Sequence, residues 1–365
     1  MPSNVILHIG LPKTGTTSLQ QAFFENRDQL AEQGISYPVP SSSHWNAQHD
    51  FVRAFHRGGP DAVGALLDEC RLQIEGGDQV LMSSEEFAGW HPPRVRAWKT
   101  YLDQRFGTPS YHIHLCIRRW ADAVPSFWHQ IVISGGTVTF PEHVLQELLK
   151  VQREQRFQFE HIADTWIDIF GRDAVRIVPI ERVTASGNDL VVHTFRSLLG
   201  IEAAELAGKY KSNRSLSPEQ LELIRAVSVF GNRQHGKASK GVSFALRRRL
   251  LRGEAQATAA AERLTALRCD LTLDDQRAPF AEIERRALEK FGGLMEGVDA
   301  GAIFPPREPR QASYIRDIYW LDPGFRETIE SVYTRVTAPK GARQPPKALP
   351  KRAWQKLRRW LRRRR

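Results

Sequence analysis

The residues with the most evident chemical potential lie between positions 12 and 18, where the chain reads Pro-Lys-Thr-Gly-Thr-Thr-Ser after the apolar run 5–9. An anion site needs main-chain amides converging at a helix N-terminus, where the helix dipole favours negative charge, together with a cation. Gly15 permits a tight turn, Lys13 supplies the cation, and Thr16, Thr17 and Ser18 set hydroxyls beside their amides. A nucleoside-triphosphate loop would read G-x-x-x-x-G-K-[ST], with the lysine after the last glycine. Here Lys13 precedes Gly15 by two residues, so the segment predicts a phosphate site of another kind. A plain capped turn needs one hydroxyl, not this whole run. Two carboxylates, Glu85 and Glu86, follow the apolar stretch within 78–87. Two histidines, His44 and His49, stand in the polar run SSSHWNAQHD.

The elements that must carry these groups follow from hydrophobic period. Residues 5–9 form a compact β-branched run of the kind buried in parallel sheets. A helix is expected over 17–33, a short strand over 35–37, and further strands within 78–87, 110–119 and 174–180. Strands alternating with helices predict an α/β fold with a central parallel sheet, a P-loop-like three-layer arrangement over residues 1–210. From residue 211 the pattern turns helical and rich in Arg and Glu. Ser217 as N-cap, Pro218 at the first helical position and Gln220 form a helix-start signature. Residues 211–336 are expected as a helical lobe, with no strand up to about residue 293. Residues 337–365 are expected as a Pro-rich linker and a basic tail. In this layout Glu85 and Glu86 lie at the carboxyl edge of the sheet, where open α/β folds bind ligands. His8, His112 and His114 fall inside strands and read as structural.

PKTGTTSLQ closely resembles the 5′-phosphosulfate loop of sulfotransferases, which move a sulfonate from 3′-phosphoadenosine 5′-phosphosulfate to an alcohol or amine. The resemblance implies that Lys13, Thr14, Gly15, Thr16, Thr17 and Ser18 hold the donor's 5′-phosphate, with Lys13 neutralising the group that leaves. It also implies an Arg at the end of a later strand and a Ser eight residues on, holding the 3′-phosphate. HLCIRRWADAVPSFWHQ supplies Arg118 and Ser126 in that arrangement, with Arg119 as the competing arginine, since this chain has Arg-Arg-Trp where the family usually has Arg-Asp-Pro. A guanidinium fork suits a phosphate because it stays charged and binds two oxygens. The acceptor hydroxyl must lose a proton. Glu85 is the first choice of base and Glu86 the alternate, with His44 and His49 as competitors. Late segments of such enzymes return a basic residue to the nucleotide, which brings in Lys211 and Arg214. The implied co-substrate is 3′-phosphoadenosine 5′-phosphosulfate, with no metal. The implied acceptor is a small molecule or glycan, a saccharide or glycolipid foremost, chosen by the loop 38–60 and the helical lobe. The alternatives are a non-catalytic nucleotide-binding or membrane-recruited partner protein on the same fold, and a P-loop kinase.

The formal charge is +11, but residues 340–365 hold twelve Lys or Arg and no acid, leaving 40 basic against 41 acidic groups elsewhere. Basicity is therefore a property of the tail. KRAWQKLRRWLRRRR can place Trp354, Leu357 and Leu361 on one side of a helix, which suits an anionic membrane surface better than nucleic acid. No apolar run reaches about 18 residues, and the N-terminus carries no secretory signature, so a cytoplasmic protein, with a peripheral place at the inner membrane face, is expected. Cys70, Cys116 and Cys269 are scattered and read as small apolar side chains.

Overall fold

The computed structural model describes residues 2–43, 46–150, 159–210, 215–235, 240–298 and 301–338. His44, Lys211, Arg214 and the basic tail from residue 339 lie outside the described residues.

A five-stranded parallel sheet forms the centre. Its strands are β1 (Asn4–His8), β2 (Ile35–Ser36), β3 (Gln79–Ser83), β4 (Ser110–Ile117) and β5 (Val175–Pro179), in the order β2-β3-β1-β4-β5. β1 is flanked by β3 with Val5 opposite Val80, and by β4 with Val5 opposite Tyr111. Chain order reverses at β1, and at such a switch point the loops leaving the carboxyl ends diverge and open a crevice. The strands need no polar face because helices cover both sides.

On one face, α1 (Thr16–Glu25) and the helix Leu190–Leu199 pack on Ile6, Leu81, Cys116 and Val178, with Phe23 stacked on Phe195 at 5.5 Å. On the other face lie the helices Pro92–Phe106 and Phe159–Phe170. Trp98 and Trp166 from them are fully buried and meet Phe87 at 5.6 and 6.1 Å. The result is the three-layer α/β architecture expected from the pattern.

Three local departures have physical causes. The helix expected over 17–33 is broken into α1 and α2 (Arg27–Glu32) at Asn26. The Asn26 amide donates to the Ala22 carbonyl at 2.7 Å and to Tyr210 Oη at 2.9 Å, a tertiary anchor that ends the first helix. His49 does not sit in a polar loop. It opens the helix His49–Glu69, kinked at Gly59 before Pro60, and is buried. The expectation of no strand between 211 and 293 is also corrected: β6 (Arg268–Leu273) pairs antiparallel with β7 (Arg310–Ile315). Its half-exposed alternation, with Arg268 and Asp270 among its residues, gave no continuous apolar run to read.

The chain divides into two compact units. The first comprises residues 1–131, 138–218 and 268–315, so the β6–β7 ribbon belongs with the parallel sheet. The second comprises 132–137, 219–267 and 316–365, and among its described residues it is helical. The helix Pro218–His235 starts at the expected proline. Within the second unit Arg225 is buried and donates to Glu222 at 2.6 Å, to Tyr319 Oη at 3.0 Å and to the Thr137 carbonyl at 2.8 Å. Such a pair holds one arrangement because a buried charge left unpaired is costly.

Candidate active site

The loop leaving β1 is shaped by its backbone. Lys13 has φ 69° and Gly15 φ 85°, both left-handed, so the chain turns twice before α1 begins at Thr16. The Thr14 hydroxyl donates to the Leu11 carbonyl at 2.6 Å and closes the turn from inside. The Gly15 carbonyl accepts from the amides of Ser18 and Leu19 at 3.0 and 3.2 Å. The amides of Gly15, Thr16 and Thr17 precede these bonds and have no partner among the described residues, as the first turn of a helix requires. Gly15 and Thr17 are exposed. Lys13 Nζ donates to Gln130 Oε1 at 3.0 Å. Ser126 is one turn before Gln130 on the helix Trp120–Ile133, so the two share a face. Ser126 is half-buried and makes no hydrogen bond among the described residues.

The two arginines after β4 have different surroundings. Arg118 Nη1 donates to the Lys13 carbonyl at 2.7 Å, which clamps the end of β4 to the loop. Its Nε is buried without a hydrogen bond, 4.0 Å from Glu181 Oε1. Burial lowers the Arg118 pKa, while Glu181 and Asp122 act in the opposite direction. Arg119 is committed elsewhere. It donates to the Pro305 carbonyl, lies over the Phe304 ring at 5.5 Å and faces Asp275 at 3.8 Å, with both charged side chains 5% exposed.

The carboxylates that follow β3 also separate. Ser84 Oγ caps the short 3-10 turn Glu85–Gly89 by accepting from the Glu86 amide, and it contacts His49 Nδ1 at 2.7 Å. Glu86 is gripped by Arg53 through Nε at 2.9 and 3.1 Å and through Nη2. Glu85 accepts from Gln20 Nε2 in the first turns of α1 at 2.8 Å and stands 3.8 Å from His49 Nε2. Gly10 passes so close that a Cβ there would come within 3.1 Å of Glu85 Cα. Arg118 is thus tied to the loop through the Lys13 carbonyl and Glu85 to α1 through Gln20, while Glu86 and Arg119 are held by other partners.

A cleft opens beside the loop. It is bounded by Pro12 and Thr14, by Arg118, by Trp120 and Phe127 of the following helix, and by Phe280, Glu284 and Phe304. Its lining is mostly apolar and includes five aromatic side chains, with Trp120 stacked on Phe280 at 3.9 Å.

No protein-family model matches the sequence, and no curated protein is significantly similar to it. Among solved structures, the sulfotransferase from Alicyclobacillus acidocaldarius is similar, at 16% identity over 67% of this chain and 94% of that one, with a TM-score of 0.37.

Several residues of the site carry no sequence signal. Gln20, Arg53, Gln130 and Glu181 are ordinary polar residues on helices until the fold aims them. Glu284 sits in an Arg/Glu-rich helix, Phe280–Phe291, that reads as solvated surface. Burial, with Asp275 adding to it, pushes the Glu284 carboxyl up to about 7. Asp122 shows the opposite outcome. Burial would raise it, but bonds to Arg307 and the charges of Arg307 and Arg310 hold it below the usual carboxylate range. Among the described residues no cluster of His, Cys, Asp and Glu is arranged to hold a metal ion.

Proposed function

We propose that this protein transfers a sulfonate from 3′-phosphoadenosine 5′-phosphosulfate to a hydroxyl acceptor by in-line displacement. One observation carries the reading: three amides, Gly15 to Thr17, have no partner among the described residues at the start of α1, in the loop that carries Lys13 and is tied to Arg118 through the Lys13 carbonyl. Amides and a cation at a helix start complement an anion, and three unmet donors are the complement of a phosphate's oxygens.

The residues fit such a donor on chemical grounds. The loop amides and Lys13 suit the 5′-phosphate. Arg118 has a buried Nε with no hydrogen bond, and Ser126 has an unused hydroxyl; these suit the second phosphate. When bound, the co-substrate supplies the activated sulfonate. Lys13 stabilises the charge that develops on the departing phosphate, an effect that acts most strongly where it is preorganised. Main-chain amides need no reorientation as that charge grows. The acceptor's proton must pass to a base; of the two carboxylates after β3, Glu86 is engaged by Arg53 and Glu85 accepts from Gln20.

Calorimetric titration with adenosine 3′,5′-bisphosphate, without added metal, tests the reading. Wild type is expected to bind in the micromolar range. Lys13→Ala and Arg118→Gln each lose about 10- to 100-fold, the equivalent of one charge-assisted hydrogen bond of about 1.5–3 kcal/mol. Equal binding by wild type and Lys13→Ala would overturn the proposal.

A further inference from the structure

The cleft beside the loop differs in character from the crevice that receives phosphate. Apart from Thr14, Arg118 and Glu284, its walls are apolar or aromatic, with Trp120, Phe127, Phe280 and Phe304 among the largest side chains. Two polar groups of its lining residues have no partner among the described residues. Trp120 Nε1 is buried without a hydrogen-bond partner. Glu284 makes no hydrogen bond and no ion pair among the described residues, although its neighbour Arg285 is taken up by Glu282 and Glu289. A carboxyl left without a partner beside aromatic walls is costly unless a ligand answers it. A hydroxyl does so by donating to the carboxylate.

We propose that this cleft seats the acceptor as an alcohol with an aromatic or alkyl body, phenol-like rather than a free sugar, and that Glu284 receives its hydroxyl proton. The proposal rests on the sulfonate-transfer reading of the adjoining loop. A sugar would bring several hydroxyls against rings that offer them no partners, whereas a flat apolar body recovers the buried area. In the step, the acceptor O–H proton moves to the Glu284 carboxylate as the acceptor oxygen bonds to sulfur. The bond from sulfur to the bridging phosphate oxygen breaks, and adenosine 3′,5′-bisphosphate leaves with the electron pair. Glu85 then serves the loop by holding Gln20 and the first turns of α1.

The charges facing Glu284 come from several elements: Asp275 and Glu181 favour its protonated form, and Arg119 favours the carboxylate. Arg118 borders the same cleft. With the Glu284 carboxyl near 7, a proton acceptor is ionised above that pH and a good match to neutral conditions.

The probes are 2-naphthol and methyl β-glucoside, each with 3′-phosphoadenosine 5′-phosphosulfate. Wild type is expected to sulfonate 2-naphthol with the larger kcat/KM, its kcat climbing as pH rises through about 7 and levelling above. Glu284→Gln is expected to lower kcat about 10²- to 10⁴-fold and to remove that limb, while its affinity for adenosine 3′,5′-bisphosphate stays within about twofold. Phe280→Ala is expected to weaken calorimetric binding of 2-naphthol alone. Transfer to the glucoside at equal or greater kcat/KM, an unchanged pH limb in Glu284→Gln, or equal naphthol binding by Phe280→Ala would each overturn the proposal. Wild type that binds naphthol in the cleft yet fails to bind the nucleotide would instead sink the sulfonate-transfer reading and leave the cleft standing as an apolar alcohol site.

Discussion

Arg118 and Arg119 are chemically identical and adjacent, yet their surroundings assign them different work. Arg118 spends one nitrogen on the Lys13 carbonyl and keeps a buried Nε without a hydrogen bond. Arg119 is almost fully buried against Asp275 and the Pro305 carbonyl, so its charge serves the packing of those two residues at the end of β4. Arg119→Gln leaves Asp275 a buried acid with Arg307, 3.7 Å away, as its remaining cation. Breaking such a pair costs about 3 kcal/mol. Urea unfolding is expected to show that loss in Arg119→Gln, with nucleotide affinity close to wild type. Arg118→Gln is expected to show the reverse pattern. Swapped outcomes would mean that Arg119, not Arg118, faces the anion. The Arg53–Glu86 pair gives a milder case. Both side chains are about one-third exposed, so a double-mutant cycle is expected to return a coupling of no more than about 1 kcal/mol.

The loop between β1 and α1 works because its backbone is set before any ligand arrives. Gly15 sits at φ 85°, and a Cβ there would meet Leu190 Cδ2 at 2.6 Å. The two penalties differ in kind, since a leucine terminus can move but a left-handed backbone resists any side chain at about 1–2 kcal/mol. Gly15→Ala is therefore expected to lower nucleotide affinity, and adding Leu190→Ala is expected not to restore it; restoration would make the contact, not the backbone, decisive. This loop was legible in the sequence because its chemistry is local: a strand, two turns and a helix start within about fifteen residues. The five parallel strands were legible for the same reason, each being a short apolar run. The break at Asn26 was not, since it depends on Tyr210, 184 residues away. Nor was the cleft, whose walls come from Pro12 and Thr14, from Arg118 to Phe127, and from Phe280, Glu284 and Phe304, which meet only through the fold. Glu85 and Glu86 could be placed at a strand end from sequence. Which partner each takes depended on Arg53 and Gln20, which share no motif with them.

At the scale of the molecule, the response to acid is a balance between buried groups of opposite sign. His8 and His114 face each other across β1 and β4, with ring centroids 5.6 Å apart, and both are fully buried. Burial lowers His8 from 6.5 to about 4. Burial, with the His8 charge adding to it, lowers His114 from 6.5 to about 3. Both rings are neutral in the folded protein at pH 5, while the unfolded chain has protonated them. Their stabilisation is therefore complete above pH 6.5 and is lost as pH falls towards 4, at up to about 1.4 kcal/mol per pH unit for each ring. Glu284 acts the other way. Its folded carboxyl lies near 7 against an ordinary 4.5, so the folded state takes up a proton first and gains relative stability as pH falls from 7 to 4.5. Wild type shows only the difference between these slopes. His114→Phe removes one histidine contribution and is expected to flatten the fall in urea-unfolding free energy between pH 6.5 and 5. Glu284→Gln removes the opposing contribution and is expected to steepen it over the same interval. Because the two variants are compared with wild type by slope, a uniform loss of stability in either does not disturb the reading. Parallel slopes for all three proteins would show that neither the strand histidines nor the cleft carboxyl is shifted by the fold.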